Sequence, residues 1–235
     1  MKRIFCIFCV ITMLFLLCSC KDDISHKANE YETMKTSATK DSVEEFVSLL
    51  ENIEPSGLIS GYKFDEETCY NVTPPEVSAE TNMKIFKFSD SCASFVMVDN
   101  EIYSLCEWFG GYGFVNALPC DFDNDGNKDL LVASSWGSGV HRSIISVFNS
   151  VSKNSTILYD TSSADTPNTD LIVAQSTASF FTGDPNIDEK LYYSVLSVKI
   201  NVENNNLVNL AYVVTGIEGH IEYEDNTPQF IPYQK

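Results

Sequence analysis

The feature that most limits the fold of this chain is a series of short apolar segments separated by turn residues. β-Branched and aromatic residues are frequent in these segments, and such residues favour strands. The segments predict strands at residues 93–98, 101–106, 130–133, 143–148, 171–174, 179–182, 191–202, 207–214 and 220–223. Asp99-Asn100, between the first two, predicts the turn of a β-hairpin. Strands at this density predict a mainly β fold with a sandwich or barrel-like body.

One segment before these strands has a different period and predicts a helix. Its apolar residues recur at helical spacing, at Val43, Phe46, Val47, Leu50 and Ile53. Ser42 and Glu45 have the spacing of a capping box, and Pro55-Ser56-Gly57 ends the pattern. We therefore expect one amphipathic helix over residues 43–53 that covers a face of a sheet.

The first residues have the composition of a targeting signal. Lys2 and Arg3 precede an apolar run of fourteen residues from Ile4 to Leu17. A helix of that length measures about 21 Å, which is shorter than the roughly 30 Å hydrocarbon core of a bilayer. The run therefore predicts a signal peptide, residues 1–19, rather than a membrane span.

Leu17-Cys18-Ser19-Cys20 resembles the lipobox of bacterial lipoproteins. The resemblance implies that the peptide is cut before Cys20 and that Cys20 carries acyl chains, which anchor a protein durably in a membrane. Lys21-Asp22-Asp23 resembles the acidic signal that sends some lipoproteins to the cell surface. We thus expect an outer-membrane lipoprotein, with a lipidated cysteine and flexible tether at residues 20–40 and one globular domain at residues 41–235. The alternatives are an ordinary secretory signal with an incidental cysteine, and acidic charges that only begin a solvated linker.

The charge of the chain excludes one class of partner. There are 33 Asp and Glu residues against 15 Lys and Arg, for a formal net charge of -18. A protein that neutralises nucleic-acid phosphates needs a basic face, so we expect no nucleic-acid partner. Apolar residues make up 44% of the chain and charged residues 20%, which excludes a chain that is disordered throughout.

Residues 121–129 read Asp-Phe-Asp-Asn-Asp-Gly-Asn-Lys-Asp, with carboxylates at alternate positions. Carboxylates this close repel one another unless a cation lies among them. Gly126 permits the positive φ that a tight loop requires. Oxygen donors without thiolate or imidazole favour calcium over zinc. The predicted ligands are the side chains of Asp121, Asp123, Asp125 and Asp129 and the backbone carbonyl of Asn127.

This loop resembles an EF-hand through its first six positions but has Val132 where an EF-hand has its bidentate Glu. It is more similar to the calcium loop of FG-GAP and VCBS-type repeats, which is followed by an aliphatic strand such as residues 130–133. That resemblance implies a β-propeller and a structural role for calcium. Only one blade-like segment is visible, so we expect a single β-rich domain, a sandwich or small propeller-like body, with one N-terminal amphipathic helix. The alternative at this loop is a solvated acidic turn without a metal.

The Gly-rich segment after the predicted metal strand is a second candidate site. The side chains predicted to contact a ligand there are Trp136, His141, Arg142 and Ser143. Guanidinium and hydroxyl groups suit a charged or hydroxyl-bearing ligand. The alternative is a wide connection between strands, with the tryptophan packed in the core.

Four cysteines follow Cys20, an even number in an oxidising compartment: Cys69, Cys92, Cys106 and Cys120. The predicted hairpin brings Cys92 and Cys106 within one residue of facing each other, so this pair is the predicted disulfide, with a bulge to correct the offset. Buried thiols are the alternative.

Together these features predict an envelope-anchored lipoprotein with a structural calcium site and a non-catalytic binding or scaffolding role. Its expected partners are the membrane, through the lipid anchor, and an extracellular ligand or envelope protein. The alternative is a calcium-supported secreted hydrolase that acts on a polysaccharide or peptide. If its substrate were a polysaccharide, the enzyme would be a glycoside hydrolase, which needs a cleft with two carboxylates roughly 5–10 Å apart. The sequence nominates no catalytic residue.

Overall fold

The structure is a computed structural model that describes residues 35–53, 63–106, 110–123, 125–163, 169–177, 191–224 and 227–233. The predicted signal peptide, Cys20, the acidic residues after it and the strand predicted at residues 179–182 lie outside the described residues. Within the described ranges, no helix has the length and apolar character that crossing a bilayer requires.

The described chain folds into three four-stranded antiparallel sheets in which consecutive strands are neighbours. Sheet A contains β1 (Cys69–Asn71), β2 (Lys84–Phe88), β3 (Ser94–Val98) and β4 (Glu101–Cys106). Sheet B contains β5 (Gly113–Cys120), β6 (Asp129–Trp136), β7 (Arg142–Asn149) and β8 (Asn154–Asp160). Sheet C contains β9 (Asp170–Thr177), β10 (Leu191–Val202), β11 (Leu210–Glu224) and β12 (Thr227–Pro232), and the helices are α1 (Val43–Leu50) and α2 (Pro75–Glu80). The predicted β-rich domain is confirmed.

Each sheet has the strand number and the up-and-down order of a propeller blade. The three sheets contain all twelve strands of the described chain, and each sheet is built from a continuous stretch of sequence. The calcium loop predicted from the sequence belongs to the middle stretch, sheet B.

The helix and the sheets pack in layers around apolar side chains. Helix α1 covers one face of sheet A, where the ring of Phe46 stacks on that of Phe86 with centroids 4.1 Å apart. The other face of sheet A, with Ile85 and Val96, packs on sheet B, whose second face packs on sheet C. Residues 130–133 of β6 are fully buried because sheet B is covered on both faces.

Helix α1 begins at Val43, as predicted, and ends at Leu50, three residues before the predicted end. The capping-box prediction is wrong, because Ser42 has a left-handed φ of 58° and its side chain makes no cap hydrogen bond. Its Oγ instead accepts a hydrogen bond from Lys84 Nζ and donates one to Asp41. The side chain of Ser42 therefore connects the start of the helix to strand β2.

The hairpin predicted at Asp99-Asn100 is confirmed, and both residues have positive φ, 54° and 62°. The predicted disulfide between Cys92 and Cys106 is not formed, and the four described cysteines are buried thiols. A register shift after Ser94 places Cys106 opposite Ser94, while Cys92 lies two residues earlier and outside the strand. The two cysteines are therefore not cross-strand partners. The predicted disulfide required them to face each other across the hairpin.

Residues 35–40, which the sequence assigns to the flexible tether, pair with the domain instead. Lys35 forms a bridge with Ala211 of sheet C, and Thr39 forms one with Asn71 of sheet A. Backbone pairing of this kind fixes the chain against both sheets. The ordered domain therefore begins earlier than the predicted boundary at residue 41.

Candidate metal centre

The acidic segment 121–129 connects β5 to β6 at one end of sheet B. Gly126 has a φ of 86°, and a Cβ built there would meet no atom within 4 Å, so the backbone conformation rather than crowding favours glycine. Phe122 is 6% exposed, and its ring lies 5.2 Å from that of Tyr193 in sheet C. This aromatic contact fixes the first turn of the loop against the core.

Three of the predicted ligands converge in this loop. Asp121, Asp123 and Asp125 each offer a carboxylate oxygen, and these atoms lie within 4.8 Å of one another. Oδ1 of Asp121 is buried and has no hydrogen-bond partner in the described part of the chain. A buried carboxylate oxygen without a partner is costly, and a bound cation would satisfy it.

Backbone hydrogen bonds orient the two exposed carboxylates of the loop. Asp123 Oδ1 accepts a bond from the N–H of Asp125 at 3.2 Å, and Asp125 Oδ1 accepts one from the N–H of Asn127 at 2.7 Å. The bond from Asn127 is the main cause that lowers the pKa of Asp125 below its ordinary value. These Asx-type turns hold successive carboxylates on a coiled backbone, as a cation-binding loop requires.

Asp129 lies next to this group but binds a different turn. Its side chain is 2% exposed, and its Oδ1 accepts a hydrogen bond from the N–H of Ser150 at 2.8 Å. Asn149 Nδ2 donates both to Asp129 Oδ2 at 3.4 Å and to Asp123 Oδ2 at 3.1 Å. Burial raises the pKa of Asp129. The loop is thereby connected to the turn between β7 and β8.

The predicted ligand set therefore divides into two parts. Three carboxylates come together, whereas Asp129 is outside their group because Ser150 and Asn149 engage its oxygens. The ligand role of the Asn127 carbonyl stays a prediction. Sequence reasoning missed Asn149, which lies 26 residues from Asp123 and carries only the signal of a turn residue. The three carboxylates that converge are oxygen donors of the kind that Ca²⁺ prefers, and calcium at this loop stays a prediction.

The second predicted site lies at the opposite end of sheet B, at the turn between β6 and β7. Arg142 is the cross-strand partner of Trp136, and its guanidinium lies 5.0 Å from the centre of the tryptophan ring. His141 Nδ1 is 3.7 Å from Asp170 Oδ1, and the imidazole packs edge-on against Tyr112 with centroids 4.7 Å apart. Burial raises the pKa of Asp170. We call the partly exposed surface of Trp136, His141, Arg142 and Tyr112 the ligand edge.

Ser143 does not belong to the ligand edge, and its predicted ligand contact is wrong. It is 0% exposed, and its Oγ donates to the carbonyl of Thr169 and accepts from the N–H of Leu171, both at 3.1 Å. The side chain of Asn116 similarly pairs with the N–H and carbonyl of Val173. Side chains of sheet B thus satisfy the backbone of strand β9, which joins sheets B and C.

Two places in the described structure resemble a catalytic site: the group of Ser135, Asp170 and His141, and a cavity beside β5. The geometry at neither place supports a hydrolase. Ser135 Oγ donates to Asp170 at 3.4 Å, whereas a catalytic serine must contact the histidine, here His141. A cavity of about 320 Å³ beside β5 is lined by a single acidic residue, Glu76. One carboxylate cannot supply the acid–base pair of a glycoside hydrolase.

Two glycines place the segments that form the ligand edge. Gly110 forms a parallel bridge with Gly137, and a Cβ on Gly110 would lie 2.7 Å from the carbonyl oxygen of Gly137. This close approach of two segments brings Tyr112 beside His141. Sequence reasoning missed Tyr112 and Asp170, because they are distant in the chain from the turn that they contact.

Comparisons of this chain with family models, with curated proteins and with solved structures found no match.

Proposed function

We propose that this protein is a calcium-stabilised, non-catalytic binding module of the cell envelope, with calcium held in the loop 121–129. One observation carries the proposal. Three carboxylates converge, and Asp121 has a buried oxygen without a hydrogen-bond partner among the described residues. A site with oxygen donors alone suits Ca²⁺ better than Zn²⁺.

Calcium in this loop would act on stability, because the loop contacts two other parts of the domain. Asn149 and Asp129 connect it to the turn between β7 and β8, and Phe122 connects it to Tyr193 of sheet C. A divalent cation among three carboxylates offsets most of their mutual repulsion and would hold this end of sheet B together. Extracellular calcium modules have Kd values of about 10⁻⁴ to 10⁻³ M, and we expect this range here.

In this proposal the acyl chains on Cys20 hold the protein at the outer membrane, and the ligand edge contacts an extracellular ligand or an envelope protein. The edge offers a guanidinium, an imidazole and a phenol, which suit an anionic or hydroxyl-rich partner. Aromatic residues and arginine are also enriched in the centres of binding surfaces. Binding is favoured over catalysis because Ser135, the serine beside Asp170, donates its hydrogen bond to that carboxylate, which is not the serine-to-histidine contact of a hydrolase.

Thermal unfolding of residues 21–235, with and without calcium, tests the metal site. At about 10 mM calcium, a Kd in the expected range adds about 1.4 to 2.7 kcal/mol to the free energy of unfolding. For a domain of this size, that gain raises Tm by about 3 to 10 °C. Magnesium at the same concentration should raise Tm less, because it demands a smaller and more rigid octahedral site.

Substitutions in the loop identify the residues responsible for the shift. Asp121→Asn and Asp123→Asn should each remove most of the calcium-dependent rise in Tm, because each takes one charge from the converging group. Asp65→Asn is a matched control, since Asp65 also accepts a bond from the N–H two residues later but is outside the acidic group. An unchanged Tm of the parent chain in calcium, or an equal loss in the control, would contradict the site.

Fractionation of cells that express the full chain tests the anchor. The parent protein should sediment with membranes, and Cys20→Ala should appear in the soluble fraction or remain uncleaved. Cys69→Ser is the control, because Cys69 is a buried thiol of the folded domain and should not affect anchoring. Membrane association that is unaffected by Cys20→Ala would contradict lipidation.

Photo-crosslinking in intact cells tests the ligand edge. Val140 is 38% exposed and adjoins His141, so a photoreactive residue there should form a discrete crosslinked species. Val151 is 58% exposed at the other end of sheet B and serves as the control, where no such species is expected. Arg142→Ala should reduce crosslinking from position 140. Equal crosslinking from both positions, or none from position 140, would count against the binding role.

A further inference from the structure

The face of sheet A that packs on sheet B contains a buried polar cluster that the calcium site does not use. Lys87, Ser94 and Cys106 are lateral neighbours on β2, β3 and β4, so their side chains lie on the same face. Their exposed fractions are 1%, 0% and 1%. Because adjacent strands lie about 4.8 Å apart, roughly 10 Å separates the α-carbons of Lys87 and Cys106, most of which an extended lysine side chain can cover.

Hydrogen bonds close this cluster. Lys87 Nζ donates to the carbonyl of Phe114 at 2.8 Å, and the N–H of Phe114 donates to Ser94 Oγ at 2.9 Å. Ser94 Oγ donates in turn to the carbonyl of Cys92 at 3.1 Å. Gly113, with a φ of 66°, lets β5 approach that carbonyl, since a Cβ there would lie 2.2 Å from it. The lysine amine and both cysteines are thus enclosed between sheets A and B.

The surroundings of Lys87 favour the neutral amine. Among the described residues, no carboxylate forms an ion pair with it. Burial lowers the pKa of Lys87 to about 7, and the neighbouring Cys106 and Cys92 act in the opposite direction. A neutral amine is a nucleophile, and a thiol beside it is the most readily oxidised side chain of a protein.

We propose that Lys87 and Cys106 form an oxidative cross-link in which a single oxygen atom joins Nζ to Sγ. The oxidant is dioxygen. One N–H and one S–H bond break, one N–O and one O–S bond form, and the second oxygen atom leaves with the two hydrogens as water. The nitrogen and the sulfur each lose two electrons, which are the four that dioxygen takes. Four electrons from a thiol reductant restore the amine and the thiol and release the bridging oxygen as water.

The register of sheet A selects the partner of the amine. Cys106 shares a face and a lateral row with Lys87, whereas Cys92 lies outside strand β3. The same register keeps the two cysteines from being cross-strand partners, and both are thiols rather than a disulfide. Neither calcium nor the lipid anchor takes part in this cross-link.

The intact mass of the purified protein tests the cross-link. A sample exposed to air at about pH 8 is compared with one kept reduced and free of oxygen. The bridge adds one oxygen and removes two hydrogens, a gain of about 14 Da that a thiol reductant reverses. A sulfenic acid adds about 16 Da and a disulfide removes about 2 Da. Either of these as the main product, or an unchanged mass, would overturn the proposal.

Variants locate the bond. Cys106→Ser and Lys87→Met should each abolish the gain in mass, and Cys92→Ser should retain it. Cys120→Ser is the matched control and should also retain it, because Cys120 is a buried thiol whose charged neighbours are residues of the acidic loop. Peptide mapping of the oxidised parent protein decides the assignment even if a variant fails to fold. A gain that persists in Cys106→Ser would overturn it.

Discussion

Replacing Lys87 by methionine should change how the stability of this protein depends on pH. Lys87 is 1% exposed and its Nζ donates to the carbonyl of Phe114. Methionine fills a similar volume without an ionisable group. In the parent protein, unfolding transfers the amine from a buried position to water, where it binds a proton more tightly. The variant lacks this proton uptake, so the two proteins should respond differently to pH.

The size of the effect follows from two values of the lysine pKa. The ordinary value is 10.5, and burial lowers the pKa in the folded protein to about 7. Between these values the unfolded chain holds a proton that the folded chain does not. The free energy of unfolding of the parent therefore rises with pH, by up to about 1.4 kcal/mol per unit and by roughly 5 kcal/mol over the whole interval. Below about pH 7 both states are protonated, and the buried charge destabilises the folded state by a constant amount.

Urea unfolding of both proteins between about pH 6 and about pH 9, reduced and free of oxygen, measures this difference. The stability of Lys87→Met minus that of the parent should be constant at the acid end and should fall steadily above about pH 7. Buried groups that do not interact with Lys87, such as the Cys69 thiol whose pKa burial raises to about 12, titrate alike in both proteins and cancel. A difference that is independent of pH would refute the conclusion that the folded protein buries a titrating amine.

Three further substitutions test the packing and the loop. Phe46→Ala should cost about 3 to 5 kcal/mol in urea unfolding, because it removes a fully buried ring that stacks on Phe86, and a loss below about 1 kcal/mol would contradict this. Asn116→Ala leaves the N–H and carbonyl of Val173 without their side-chain partner and should cost about 2 kcal/mol or more; amide exchange at Val173 should accelerate, and unchanged exchange would argue against the contact. Gly126→Ala should cost about 1 kcal/mol through its positive φ and reduce the rise of Tm in calcium, so an equally stable variant with the full rise would contradict the loop geometry.

The elements that depend on local patterns were predictable from the sequence. Helix α1 follows from the spacing of its apolar residues, and the hairpin follows from Asp99-Asn100, which tolerates positive φ. Strand β6 follows from its apolar run at residues 130–133. In each case the residues that signal the element are also the ones that form it. The error at Ser42 arose because its side chain has a partner in strand β2, which lies far away in the sequence.

Three of the strands that sequence reasoning missed have weak local signals. β8 begins with four exposed residues, mostly polar, and gains order by pairing with β7. β5 contains Gly113, Asn116 and Pro119, which strands normally disfavour, but it is an edge strand where proline is tolerated. β12 contains two prolines and is also an edge strand. Their stability comes from neighbouring strands and layers, which a local pattern cannot show.

The residues of the candidate sites also divide into those with a local sequence signal and those that depend on distant contacts. Alternate spacing in one loop was enough to bring Asp121, Asp123 and Asp125 together. The role of Asn149 depends on the pairing of β6 with β7, which brings a second turn to the same end of sheet B. The burial of Ser143 depends on strand β9, whose backbone arrives from another sheet. Contacts with distant parts of the chain, within sheet B for Asp129 and between sheets for Ser143, therefore decided where these two predicted residues lie.

The two candidate sites lie at opposite ends of sheet B, which limits how calcium can affect binding. Strand β6 runs for eight residues from the acidic loop to Trp136, a distance of roughly 25 Å. At that distance, calcium bound as proposed would not contact a ligand at the ligand edge, so its influence would pass through the packing of the strands between them. We therefore expect crosslinking from position 140 to persist after calcium is chelated, as long as the domain stays folded by circular dichroism. Loss of crosslinking from a folded, calcium-free protein would instead place calcium in the binding surface and refute a purely structural role.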